Sequence, residues 1–176
     1  MKSGGGRNKG SAFERLVSKL FLEAFKKGGV QTKPEDCFRT PLSGGHRFAS
    51  KTDPGDLQFS KELTELFPMV VECKHYRELC LERYLQKPKK SWKEFQWLDQ
   101  VSLSSQQTGR PPVLVMRGNN GVIFCGHTVV IRLPFPDSPW KQPSIIFGYK
   151  EYAWWVYPLE DFLRRLSIHV SRSKKK

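Results

Sequence analysis

The sequence predicts an α/β domain with a mixed central β-sheet flanked by helices. Three observations lead there. Residues 11–27 repeat apolar side chains at helical spacing, as the inner face of a helix laid on a sheet does. Short apolar runs bounded by Pro, Gly or Asn read as strands at 56–59, 69–75, 111–116 and 121–125. A second helical segment separates the first two of these runs from the last two. That order of helix, strands, helix and strand pair suits a sheet with helices packed on it.

The first helix is expected over 11–27. Phe13, Leu16, Val17, Leu20, Phe21, Ala24 and Phe25 form its stripe, Ser11 is placed to cap it, and Gly28 and Gly29 end it. Residues 30–52 read as loop, because Pro34, Pro41, Gly44 and Gly45 break any periodicity. The segment 76–90 is charged and reads as a loop or a partly helical excursion. A second helix is expected from Ser91 to about Gln107, with Glu94 three residues after Ser91 as in a capping box and Gly109 as its stop. Asn119 to Gly121 marks a turn between the next two strands. A proline-rich loop spans 134–143, further strands are expected at 144–149 and 152–157, and Pro158 at the first helical position opens a closing helix over 159–166.

The 176 residues suffice for one domain with a real core, expected over 11–170. Residues 1–10 and 171–176 are expected as a flexible basic arm and a basic tail. No run of about 18 apolar residues predicts a membrane span, and the Gly-rich, basic start lacks the apolar stretch of a signal peptide. The expected location is therefore the cytoplasm, that of the host cell if the gene is a phage's. The formal net charge is +13, with an isoelectric point near 9.8. Such an excess of Lys and Arg releases counterions from a polyphosphate on binding, so the implied partner is nucleic acid. A solvated basic surface is the bland alternative, and no basic amphipathic helix points to a membrane. Cys37, Cys73, Cys80 and Cys125 fit no zinc-ribbon or zinc-finger spacing and are expected as free thiols.

The residues that suggest chemistry are Glu72 and Lys74. In a strand, residues two apart share a face, so an acid and a base project side by side from a segment otherwise fit for a core. Charges there are costly unless paired. Asp56 follows the turn formed by Pro54 and Gly55 and opens a strand able to pair with the one bearing Glu72. Two converging carboxylates suit Mg²⁺ or Mn²⁺, with the Cys73 carbonyl as a further oxygen ligand. Such a metal lowers the pKa of bound water and neutralises phosphodiester charge, and Lys74 would hold the attacking water or stabilise the phosphorane. Each residue also has a plain structural account. Glu72 and Lys74 can form a surface salt bridge worth about 0–1 kcal/mol, Asp56 can be a turn residue, and Glu14, at the edge of the first helix's stripe, can close a capping box with Ser11.

Glu14, then Pro54-Gly55-Asp56, then Glu72-Cys73-Lys74, in this order and in these elements, resemble the PD-(D/E)XK nuclease superfamily. The layout over residues 10–118 is similar to archaeal-type Holliday junction resolvases, including phage versions. The resemblance implies a restriction-endonuclease-like fold and a Mg²⁺-dependent homodimeric endonuclease that nicks symmetric strands of a four-way DNA junction. Asp56 and Glu72 would bind metal, Lys74 would serve catalysis and Glu14 would support metal or water. Ser43 corresponds to a loop serine near the junction backbone, with a flexible turn residue as the alternative. A supporting Gln on the following helix would be Gln100, with Gln96 and Gln106 behind it, unless these are surface residues. The long 76–95 segment and the aromatic stretch from Tyr149 to Tyr157 depart from a minimal resolvase. Two other readings stand beside this one: a nuclease of the same superfamily acting on duplex or single-stranded DNA in repair or restriction, and a non-catalytic basic DNA-binding protein.

Arg7, Lys9, Arg39, His46, Arg47, Lys51 and the basic residues from Lys87 to Lys90 are candidates to position phosphate rather than read sequence. Trp92, Trp97, Trp140, Trp154 and Trp155 can stack on bases or serve as core or interface residues.

Overall fold

In the computed structural model, which describes residues 5–40, 54–87, 89, 91–119, 121–128, 145–150 and 152–174, four helices pack on a seven-stranded sheet. The elements are α1 (Gly5–Lys27), β1 (Cys37–Arg39), β2 (Leu57–Phe59), α2 (Lys61–Leu66), β3 (Val70–His75), α3 (Lys93–Thr108), β4 (Pro112–Arg117), β5 (Ile123–Thr128), β6 (Ile145–Tyr149), β7 (Tyr152–Pro158) and α4 (Leu159–Ser173). Short 3₁₀ turns lie at Pro34–Asp36 and Leu81–Leu85. Strand order is β1-β2-β3-β4-β5-β7-β6. Only β3 and β4 run parallel, so the sheet is mixed.

Alternation along the strands sorts the core into two layers. Val71 and Cys73 of β3 and Val113 and Val115 of β4 face α1 and α4, whose Phe13, Val17, Phe21, Phe25, Phe162 and Leu166 cover them. Leu114 and Met116 face the other way, against Phe95, Leu98 and Val101 of α3. Glu72 pairs in register with Leu114, and Lys74 with Met116, so both charges lie on the α3 face.

Several boundaries differ from expectation. The first helix begins at Gly5, which takes residues 5–10 of the basic arm into helix and puts Ser11 inside α1, where it caps nothing. A strand, β1, occurs in the stretch read as loop, because Cys37 and Phe59 pair across a sheet edge too short to show periodicity. α2 was likewise not visible in six residues. α3 starts from Trp92 without a side-chain cap. Glu94 is instead fully buried and receives the Arg83 guanidinium at 3.0 and 3.2 Å. Pro158 ends β7 as the residue before α4, and α4 runs on through Ser173, so residues 171–173 of the basic tail are helical. The proline-rich loop at 134–143 lies outside the described residues. No helix among those described is long and apolar enough to cross a membrane.

The Arg83–Glu94 pair has a testable consequence. Removing the guanidinium leaves a buried carboxylate without that partner, so Arg83→Ala should lower stability. Urea unfolding measures this, and Arg83→Lys should recover only part of it, since one ammonium replaces a planar fork.

Candidate active site

The turn before β2, the strand β3 and the helix α3 bring polar side chains together. The backbone of Asp56 is pinned on both sides: its N–H donates to the Val71 carbonyl at 2.8 Å, and its carbonyl accepts from Thr40 N–H at 2.9 Å. Its side chain reaches across to β3, where Oδ2 accepts the Cys73 N–H at 2.8 Å. The turn before it depends on Gly55, whose φ of +104° places it where L side chains rarely go.

Glu72 is 3% exposed. Its Oε2 accepts from Lys74 Nζ at 3.0 Å and from Gln100 Nε2 at 3.0 Å, and its Oε1 accepts from Ser104 Oγ at 3.2 Å. Lys74 Nζ lies 3.6 Å from Asp56 Oδ2, so one ammonium sits between two carboxylates. Gln100 and Ser104 are one turn apart on α3 and therefore share a face. The structure thus brings Asp56, Glu72, Lys74 and Gln100 together, and adds Ser104, which the sequence reading missed. Its signal was present: a polar residue four positions from Gln100 on the side of α3 turned to the sheet.

Burial, and then the charge of Glu72, push the Asp56 carboxyl up to about 7, against the pull of Lys74 and the Cys73 N–H. Burial works against the Lys74 ammonium, but Glu72 and Asp56 more than offset it and hold its pKa above the ordinary lysine value. The cluster is therefore short of positive charge.

Its donor set fits a hard divalent cation. Asp56 and Glu72 supply carboxylate oxygens, and the N–H and C=O of one strand residue point to the same side. Since the Cys73 N–H points to Asp56, so does its carbonyl. Among the described residues no three His, Cys, Asp or Glu side chains converge, so side chains offer two ligands and the backbone the third. The cysteines are free, and burial raises Cys37 to about 11 and Cys73 well above the ordinary thiol value.

Glu14 is buried on α1 and paired with the Arg39 guanidinium. That contact replaces the capping box expected with Ser11. It also occupies Arg39, counted from sequence among the phosphate-positioning residues. Arg39 stands opposite Leu57 in the β1–β2 register, so Glu14 reaches the strand next to Asp56. Lys9 is exposed on α1, and Arg7 belongs to the same helix. Ser43, His46, Arg47 and Lys51 lie outside the described residues, as does Trp140. Trp97 and Trp154 are buried, which makes them core residues. Trp92 is half-buried, with Arg83 and Lys89 at 5.5 and 5.1 Å from its ring.

The family model described as "Phage putative PDDEXK endonuclease" matches residues 5–169. Comparison with curated proteins gives no match, and comparison with solved structures gives none.

Proposed function

Because the chain belongs to this family of phage PD-(D/E)XK endonucleases, we propose that it hydrolyses DNA phosphodiester bonds with Mg²⁺ (Mn²⁺ substituting) and that its substrate is a four-way junction, nicked in pairs by a homodimer. The observation that carries the chemical part is Lys74 standing between Asp56 and Glu72 in a buried, electron-rich cluster. Asp56, Glu72 and the Cys73 carbonyl would hold the metal, whose chemistry is to acidify water and offset phosphate charge. Lys74 orients the attacking water and neutralises charge developing on the phosphoryl oxygens. Gln100 and Ser104 fix the Glu72 carboxylate, and Glu14, tied to Arg39, steadies the edge beside Asp56. The +13 charge supports a polyanionic substrate. A two-fold dimer matches the two cleavage points of a symmetric junction. The DNA-facing role of Arg7, Lys9, Ser43, His46, Arg47 and Lys51 is part of the same proposal, as is action in the cytoplasm of the host cell.

The test incubates the protein with a labelled four-way junction, a duplex and a single strand in Mg²⁺, Mn²⁺ or EDTA. Paired nicks in the junction alone, lost in EDTA, support the whole reading. Cutting of the other substrates keeps the nuclease and discards the junction. Tight binding with no cutting under any condition sinks the catalytic reading. Positioning of Glu72 is tested separately: Gln100→Ala and Ser104→Ala should each slow cleavage about 10–100-fold while DNA affinity holds. Equal loss of affinity and rate would instead assign these two side chains to substrate binding.

A further inference from the structure

Beyond the cluster, the α3 face of β3 carries one more side chain that the mechanism does not use. Tyr76 is 46% exposed. Its N–H donates to the Arg117 carbonyl at 3.0 Å, which continues the β3–β4 ladder one residue past the strand. Alternation then puts Tyr76 on the same face as Glu72 and Lys74, about 7 Å along from Lys74. α3 runs antiparallel to this row: Ser104 and Gln100 meet Glu72, and Trp97, one turn before Gln100, meets the Tyr76 ring edge-on at 5.8 Å between centroids. Trp97 is buried at 8% exposure. The phenol ring is thus held by a fixed partner while much of it stays open to solvent, next to the lysine of the candidate site.

A lone exposed aromatic needs no explanation on most surfaces. Here its position and its buttress both point to a planar ligand beside a phosphate. We propose that Tyr76 is a stacking platform for a base displaced from its neighbours next to the scissile phosphate, so that the site prefers DNA whose strand is open at the point of cutting. A base inside a continuous duplex is stacked on both faces and has none free for the ring, whereas bases at a branch point or in a single strand do. The proposal rests on the nuclease reading for its location, but its measurement does not require cleavage.

The experiment measures binding of dye-labelled single strand, four-way junction, duplex and an all-abasic oligonucleotide in EDTA at low salt, with cleavage in Mg²⁺ followed in parallel. Tyr76→Ala should weaken binding to single strand and junction about 10-fold and leave duplex and abasic binding unchanged. Tyr76→Phe and Tyr76→Trp should bind like the parent, because a ring suffices. Equal loss for duplex or abasic DNA, or no loss for single strand and junction with the fold intact by circular dichroism, overturns the proposal. If the parent cuts DNA but Tyr76→Ala binds normally, stacking falls and the nuclease stands. If nothing is cut yet the selective loss appears, stacking stands and the nuclease reading falls.

Discussion

Asp56→Asn is expected to melt well above the parent at pH 8 in EDTA, and to cut DNA at least about 10²–10³-fold more slowly in Mg²⁺. The first effect follows from a carboxyl held near 7 rather than at its ordinary value of 3.8, and the second from the loss of an anionic oxygen ligand for the metal. Between these two values the folded chain binds more protons at this position than the unfolded chain does. Stability therefore falls as pH rises through the window, and the full penalty is present above about 7. Ionising a carboxyl raised this far costs the folded chain about 4 kcal/mol as an upper bound, or about 8–16 °C at most in a chain of this size. Asparagine keeps an acceptor for the Cys73 N–H and offers an amide donor towards Glu72, so it removes the repulsion without opening a hole. The advantage of the variant should shrink at pH 5, where the parent's carboxyl is protonated. Mg²⁺ at pH 8 should raise the parent's melting temperature and leave that of the variant nearly unchanged. A variant no more stable than the parent at pH 8, or equally advantaged at both pH values, would show that Asp56 is not electrostatically strained.

Gly55→Ala is expected to cost about 2–3 kcal/mol and to slow cleavage about 10²-fold. Two penalties add. At φ +104° a side chain is strained whatever the space, and a Cβ there meets Val70 Cγ2 at 2.8 Å and the Val71 carbonyl oxygen at 3.1 Å. That carbonyl is the acceptor of the Asp56 N–H, so the new methyl wedges β2 away from β3 at the point where Asp56 is fixed. The carboxylate then moves relative to Glu72 and Lys74. Gly109→Ala provides the control: its φ is also positive, at +65°, but nothing lies within 4 Å of the added Cβ. It should lose about 1 kcal/mol from backbone strain and keep its cleavage rate. Similar rates in both variants would separate Gly55 from the placement of Asp56.

α1, β3, α3 and β4 were legible in the sequence because each is long enough for its burial period to repeat, and Glu72 and Lys74 stood out as charges inside such a period. Asp56 was found through its turn. β1 and α2 were not legible, because three and six residues hold less than two full periods and owe their form to neighbours in the sheet. The two expected capping boxes failed for a shared reason. Glu14 and Glu94 had stronger partners in Arg39 and Arg83, which the fold brings from 25 and 11 residues away. Ser104 was missed because serine on a buried helix face carries no signal until the acid opposite it is known. The phosphate-positioning role assigned to Arg39 met the same kind of long-range competition.

The parallel pairing of β3 with β4 also governs when activity can arise during synthesis. Parallel neighbours cannot be joined by a tight turn, so the chain leaves β3, builds α3 and returns before the ladder closes. The supports of Glu72 lie 28 and 32 residues downstream of it, on that return path. A ribosome-bound chain that has displayed Asp56, Glu72 and Lys74 but not α3 holds its acids unsupported, because contacts distant in sequence form only once the intervening segment is available. Hydrolytic competence is thereby tied to completion of the crossover. Truncated products ending before α3 are expected to lack that competence.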